Sequence, residues 1–336
     1  MSGVTLEEVA RVANVSRATV SRVVNGDLRV GERARSAVEA AVKQLGYVPN
    51  RAARSLVTRR SDSVAVVITE PTGRLFGDPF FPRLLRGISD TLSEEALQLV
   101  LLMPQSPADE QRLTRYLAAG HSDGVLLVSL HGTDPLPADL QRRGVPLVVA
   151  GRPAVTGLTY VDVDNRGGAA AAVRHLAESG RGSIATIAGP QDMAPGADRL
   201  AGYRDALAAA GRDVDERRIA VADFSLDGGR AAMARLLDAD PTLDGLFVAS
   251  DLMALGAMEV LRAAGRAIPD DVAVVGFDDS PLAESAVPPL SSVRQPIEEM
   301  GREMARLLLG ALRRADGPRR VILDTSLIVR SSSVPM

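Results

Sequence analysis

Five of the six Phe residues in this 336-residue chain, Phe76, Phe80, Phe81, Phe224 and Phe277, fall where strand-like apolar runs give way to loops. Charged and hydroxylated residues stand at the same places. Thr69, Glu70 and Asp78 accompany the first three aromatics. Other runs end at Ser129 with His131, at Gly151 with Arg152, and at Gln191 with Asp192, followed by Arg199 at the start of a helical stretch. Further along, Ser250 precedes Asp251, and Phe277 precedes Asp278 and Asp279. Aromatic faces beside Asp, Arg and Ser suit a sugar, whose C–H faces lie on rings while charged groups hold its hydroxyls. Each residue also has a plain structural reading: Phe80 and Phe81 can plug the edge of a core, and Asp251 can cap a helix. The coincidence across many loops is what points to a binding cleft.

Other chemistries lack their residues. There is no Cys, so no thiolate nucleophile and no disulfide framework. The three His (121, 131, 175) never pair at i, i+4, which argues against a dedicated zinc site. No G-x-S-x-G elbow, phosphate-binding loop or G-x-G-x-x-G turn occurs. Adjacent acids such as Asp278 and Asp279 are common at solvated loop ends. The expectation is a binding protein with no catalytic residues, metal or cofactor.

A second constellation lies near the N-terminus. At ~100° per residue, Arg17, Ala18, Ser21, Arg22 and Asn25 share one side of a short helix, and Val20, Val23 and Val24 share the other. Ser16 is placed to cap that helix, and Asn14 occupies the turn before it. The preceding segment spaces Leu6, Val9, Ala10 and Ala13 for one buried face. A third helix is predicted at about 32–45, packing through Ala34, Val38, Ala41, Val42 and Leu45 and ending at Gly46. Charge agrees with this division. Residues 1–60 hold 11 Lys and Arg against 5 Asp and Glu, whereas the other 276 hold 28 against 37. A basic head on an acidic body is expected when one end touches nucleic acid.

These groups need a scaffold. From residue 62, apolar runs at 64–68, 97–102, 124–128, 146–150, 159–163, 183–188, 218–223, 246–249 and 272–276 alternate with amphipathic stretches such as 164–179, 197–210 and 251–264. Continuous apolar strands with helices between them predict parallel sheets covered on both faces, here in two similar α/β lobes. Ligands bind beyond the carboxyl ends of such strands. No apolar run approaches the ~18 residues of a membrane span. The N-terminus MSGVTLEEVA carries no basic-then-apolar leader, so a cytoplasmic protein without membrane attachment is expected.

The segments TLEEVARVANVSRATVSRVVNG, LGYVPNRAARSL, DRLAGY, SDLMALGAM and VAVVGFDDS, in this order and spacing, resemble the lactose-repressor (LacI/GalR) family of bacterial transcription regulators. The resemblance covers essentially the whole chain. Longer stretches, LVTRRSDSVAVV, IATIAGPQDM and MGREMARLL, are similar to cellobiose-responsive repressors of actinobacteria. The resemblance implies an all-α helix-turn-helix DNA-binding domain at 1–49 and a hinge helix with linker at 50–61. It implies an α/β core at 62–336 of two Rossmann-like lobes, like the type I periplasmic binding proteins. Lobe one would span about 62–159 plus 292–322, and lobe two about 160–291 plus 323–331.

For DNA it implies contacts from Thr5, Ser16, Arg17, Ala18, Thr19, Ser21, Arg22, Asn25 and Arg29, and from the hinge residues Asn50, Ala53 and Leu56. Arg17 and Arg22 suit guanine O6 and N7, although Arg22 equally suits a phosphate. Leu56 matches the hinge leucine that wedges into the minor groove. For the effector it implies Phe80, Phe81, Arg152, Asp192, Arg199, Phe224, Ser250, Asp278 and Gln295. Ser250 stands where the lactose repressor has Asn, and Gly151-Arg152 where it has an acid. In the head, Asn14 replaces the usual Gly, and Gly31 the usual Ser cap.

The implied function is repression of transcription by a homodimer on a near-palindromic double-stranded operator, with affinity controlled by a small sugar such as cellobiose or a related oligosaccharide. A purine or phosphorylated corepressor, or a transport-type sugar-binding protein, are the alternatives. Leu56→Ala is expected to weaken operator binding strongly and leave sugar affinity intact. Mobility shift and calorimetry on the same preparation check this, and unchanged DNA affinity would remove the wedge assignment.

Overall fold

A computed structural model describes residues 4–24, 27, 29–47, 61–132, 134–313 and 317–334. The chain forms two units, Met1–Ser61 and Asp62–Met336. Of the expected hinge and linker at 50–61, residues 50–60 lie outside the described residues, among them Asn50, Ala53 and Leu56, and so does Asn25.

The first unit has α1 (Leu6–Ala13), α2 (Arg17–Val24) and α3 (Glu32–Leu45). Local chemistry sets each boundary. Thr5 and Glu8 form a reciprocal capping box at the start of α1. Asn14 ends α1 with φ 51°, a left-handed position that Asn tolerates better than most residues. Ser16 Oγ accepts the Thr19 N–H at 3.1 Å and starts α2. Gly31 supplies no side-chain cap to α3, as its replacement of Ser implies. Val9, Ala10, Ala13, Val20, Val23, Val38, Ala41 and Tyr47 make the core, with Leu6, Val24, Val42 and Leu45 packed partly buried against it.

The second unit contains two six-stranded sheets. The first comprises β1 (Ser63–Ile68), β2 (Gln98–Leu102), β3 (Gly124–Val128), β4 (Leu147–Ala150), β5 (Thr159–Val163) and β11 (Arg320–Leu323). Its order is β11-β5-β4-β3-β1-β2, and every pairing is parallel. The second comprises β6 (Ile184–Ala188), β7 (Ile219–Val221), β8 (Gly245–Val248), β9 (Ala273–Asp278), β10 (Ser291–Arg294) and β12 (Ser326–Ile328). Its order is β12-β10-β9-β8-β6-β7, with β12 antiparallel on the edge. The first lobe carries α4 (Thr72–Gly77), α5 (Phe80–Glu94), α6 (Pro107–Ala118), α7 (Leu136–Arg142) and α13 (Ile297–Leu312). The second carries α8 (Asn165–Glu178), α9 (Ala194–Ala209), α10 (Leu226–Ala239), α11 (Asp251–Ala263) and α12 (Pro281–Ser285). Both faces of each sheet are covered, so the strands of β1, β3, β6, β8 and β9 are buried throughout.

The lobe boundaries differ from those expected. β5 belongs wholly to the first sheet, paired Val148 to Thr159 and Ala150 to Val161. β10 belongs to the second sheet, paired Ser291 to Val275 and Arg294 to Asp278. The chain therefore crosses between lobes after β5, after β10 and between β11 and β12, about four residues later than 159, three later than 291 and one later than 322. An apolar run carries no mark of which of two sheets it joins, so the sequence could not locate the crossings more closely.

The packing of α5 on α13 in lobe one depends on close backbone approach. Within the α5–α13 contact, a Cβ on Gly87 would overlap the Glu298 carbonyl, and one on Gly301 would overlap the Leu84 carbonyl. Gly87→Ala must push the helices apart and is expected to destabilise the core by about 1–3 kcal/mol. Chemical unfolding read against an exposed-glycine control such as Gly73→Ala checks this.

Candidate functional site

The carboxyl ends of both sheets face a cleft enclosing about 790 Å³ of empty space, part of it open to solvent. Lobe one supplies Arg74 from α4, Asp78, Phe80 and Phe81 at the start of α5, Ser129 after β3, and Gly151 with Arg152 after β4. Lobe two supplies Met193, Arg199, Phe224, Ser250 and Asp278. The crossings supply Asp162 and Asn165 on one side and Gln295 on the other.

The backbone itself aims these groups. Ser129, Phe224 and Asp278 all lie at strand ends with positive φ (61°, 64° and 114°), which turns each side chain off the line of its strand. For a bulky residue such as Phe224 this conformation is strained and persists only where packing holds it. Gly189 gives the Phe224 ring its space, since a Cβ there would collide with the ring edge. Phe81 is buried and meets Phe80 edge to face, centroids 5.3 Å apart. Asp78 Oδ1 accepts the Phe80 N–H at 2.9 Å, fixing the first turn of α5.

Arg199 is the electrostatic centre. It is buried on α9, and its guanidinium carbon lies 3.7 Å from the centroid of the Phe277 ring. Nε donates to Asn165 Oδ1 at 2.8 Å and Nη1 donates to the Ala249 carbonyl at 2.6 Å. Asp278 Oδ1 stands 3.6 Å from Nη1 and also accepts the Gln295 Nε2 amide at 2.5 Å. Burial lowers the Arg199 pKa, opposed by Asp278, Asp162, Asp251 and Asp78. Burial likewise raises Asp78, Asp162 and Asp278, with Arg199 opposing. An arginine keeps its charge in proteins, so the site holds one buried cation among carboxyls that burial drives toward the neutral acid.

The rim is held across the cleft. His131 Nδ1 lies 2.6 Å from Asp192 Oδ2, the Gly132 N–H donates to the Asp192 carbonyl at 2.7 Å, and Arg152 Nη2 donates to Asp198 Oδ1 at 2.6 Å. These contacts describe a closed cleft. Of the expected effector residues, Phe80, Phe81, Arg152, Arg199, Phe224, Ser250, Asp278 and Gln295 converge on the cavity. Asp192 is a correction: it is exposed on the rim beside a neighbouring pocket, while the next residue, Met193, turns inward. Four Phe placements also change. Phe76, Phe80 and Phe81 are helical, and Phe277 is a buried residue of β9 that lies under Arg199. Asp251 bonds Ser292 and the Ser280 N–H, and so ties α11 to the neighbouring strand and loop. Ser250 caps α11 through the Met253 N–H.

Arg74, Asp162, Asn165 and Met193 were not anticipated. The first three had a signal: Arg74 stands between Glu70 and Asp78 in the sequence, and Asp162 and Asn165 lie close to the carboxyl end of β5.

In the head unit, Arg17, Ala18 and Arg22 are exposed on α2, opposite buried Val20 and Val23. Thr5 and Ser16 act as helix caps, and Thr19 Oγ1 lies 2.9 Å from Ser16 Oγ. Arg29 is paired with Asp27, whose carboxyl this pairing lowers to about 2. Ser21 is partly buried.

Residues 5–50 match bacterial regulatory proteins of the lacI family, and residues 173–333 match a periplasmic binding protein-like domain. The HTH-type transcriptional regulator CelR of Thermobifida fusca is 53% identical over 332 residues, 98% of each chain. The ribose operon repressor of Halalkalibacterium halodurans is 35% identical over 98% of this chain and 97% of its own. Among solved structures, a CelR–cellobiose complex is 51% identical with TM-score 0.79, covering 98% of this chain and 99% of that one. A lac repressor dimer bound to operator and the anti-inducer ONPF is 26% identical with TM-score 0.88, covering 99% of this chain and all of that one.

Because burial raises Asp78, Asp162, Asp251 and Asp278, the folded core binds protons that the unfolded chain has released above pH ~4. Their contribution to stability therefore falls as pH rises from ~4 through the raised folded values. Asp278→Asn is expected to flatten that fall between pH 5 and 8. Urea unfolding at both pH values checks it, and a slope equal to the parent's would mean that Asp278 titrates normally.

Proposed function

The chain belongs to the lacI family of bacterial regulatory proteins, and on that premise we propose that the cleft binds cellobiose or a related short oligosaccharide as inducer. The protein is a sequence-specific DNA-binding transcriptional repressor controlled by a small sugar, and not an enzyme. It works in the cytoplasm as a homodimer on a near-palindromic operator, in keeping with the dimeric lac repressor. No helix among the described residues is long and apolar enough to cross a membrane.

The observation that carries the sugar reading is the buried Arg199–Asp278 pair set between the faces of Phe277 and Phe224, at the junction of both lobes. Arg199 and Asn165 offer donors to sugar hydroxyls, Asp278 and Asp162 accept from them, and Phe80 with Phe224 receives the C–H faces. Ser250 and Gln295 complete the polar ring. Arg152 and Asp192 act at the rim, where they join lobe to lobe. A phosphorylated corepressor fits poorly. Arg74, Arg152 and Arg199 already face Glu70, Asp198 and Asp278, so a phosphate would have to displace a carboxylate from each. A neutral polyol supports both members of every pair.

On DNA, α2 enters the major groove. Arg17 and Arg22 face base edges with Ala18, Ser21 and Asn25 beside them. The caps Thr5 and Ser16, with Thr19 and Arg29, set the helix on the phosphates, and Asn50, Ala53 and Leu56 bind at the hinge. Sugar changes operator affinity only by binding one lobe arrangement more tightly than the other.

Arg199→Ala is expected to abolish the response to cellobiose while preserving operator binding. The test is a mobility shift on the DNA upstream of the protein's own gene, titrated with mono- and disaccharides and with a purine. A variant responding at the parent's cellobiose concentration would place the clamp elsewhere, and a purine that tightens the parent's binding would replace the sugar reading.

A further inference from the structure

The two adjacent glutamates of α1 have different partners. Glu8 closes the capping box, its Oε2 accepting the Thr5 N–H at 2.8 Å. Glu7 has no part in that cap. Its Oε1 lies 2.9 Å from Nε of Arg17, the first residue of α2, and both side chains are more than half exposed (61% and 68%). An exposed pair of this kind contributes little to stability. Its position is more informative than its strength. It sits at the N-terminal end of α2, where a cation is disfavoured by the helix dipole, on the exposed side of that helix.

We propose that Glu7 is a positioning residue for base recognition, holding the Arg17 guanidinium toward a guanine. This rests on the reading above that α2 enters the major groove. Pairing at Nε takes the rear nitrogen of the guanidinium and leaves the tip nitrogens for O6 and N7. An untethered arginine on a flexible stem can swing to a phosphate, a contact that positions without specifying. The carboxylate opposes that swing, because it would have to be left behind. Its own charge also repels the phosphate backbone of any duplex, whatever the sequence. Glu7 thus gives up general affinity for discrimination.

The experiment is a sequencing-based selection by the full-length protein from palindromic duplexes randomised in both half-sites. Parent, Glu7→Gln and Arg17→Ala proteins are compared, and each is titrated against one scrambled duplex over a salt series. Glu7→Gln is expected to lower the preference for guanine at the position lost in Arg17→Ala by about 5- to 20-fold. Its affinity for scrambled DNA should hold or rise, and the salt slope should not change, because no phosphate contact is removed. A Glu7→Gln profile identical to the parent's overturns the proposal. So does a uniform loss across all sequences with a lower melting temperature, which is the signature of a purely structural pair. If Arg17→Ala keeps every base preference, the groove reading itself fails, and that failure is distinct because it appears in the Arg17 variant.

Discussion

One buried guanidinium constrains the core. Arg199 lies under Phe224, on Phe277 and against Asn165, with Asp278 as its nearest carboxylate. Taking a cation out of water is tolerable only with partners in place. Those partners come from the first crossing, from the end of β9 and, through Gln295, from the second crossing. The charge therefore requires the strand ends and both crossings to arrive together. Much of the local backbone strain, at Phe224 and Asp278, serves that arrival.

The same arrangement explains what the cleft selects. Arg74, Arg152 and Arg199 each already face a carboxyl group, so a ligand gains by offering neutral hydroxyls that donate and accept at once. The rim contacts of His131, Gly132 and Arg152 add a second condition, since they hold only while the lobes are shut. Binding chemistry and lobe position are thus one problem, which is what a regulator needs.

The sequence told much of this and missed parts for identifiable reasons. In the head, Thr5, Asn14, Ser16 and Gly46 mark helix ends through local hydrogen bonds and left-handed backbone, and such signals act within a few residues. Arg199 and Asp278 were legible because strand ends are where α/β ligands bind. Asp162 and Asn165 escaped because β5 was read as part of the other lobe. Asp192 and Met193 adjoin on one loop, where no periodicity marks which of the two turns inward. β10, β11 and β12 are short and mixed in polarity. The serines of β10 are buried only because Ser332, Ser333 and Asp251 satisfy them from afar, a pairing that no periodicity records.

The two sheets share one peculiarity of chain order. Each has an outer strand supplied by the final stretch of sequence, β11 for the first and β12 for the second, separated only by Asp324 and Thr325. During synthesis the amino-terminal reader can mature as soon as its helices clear the ribosome. The sensor must wait with both borders unfinished until β11 and β12 have been made. A nascent chain therefore completes its DNA-reading helices before its sugar-sensing lobes.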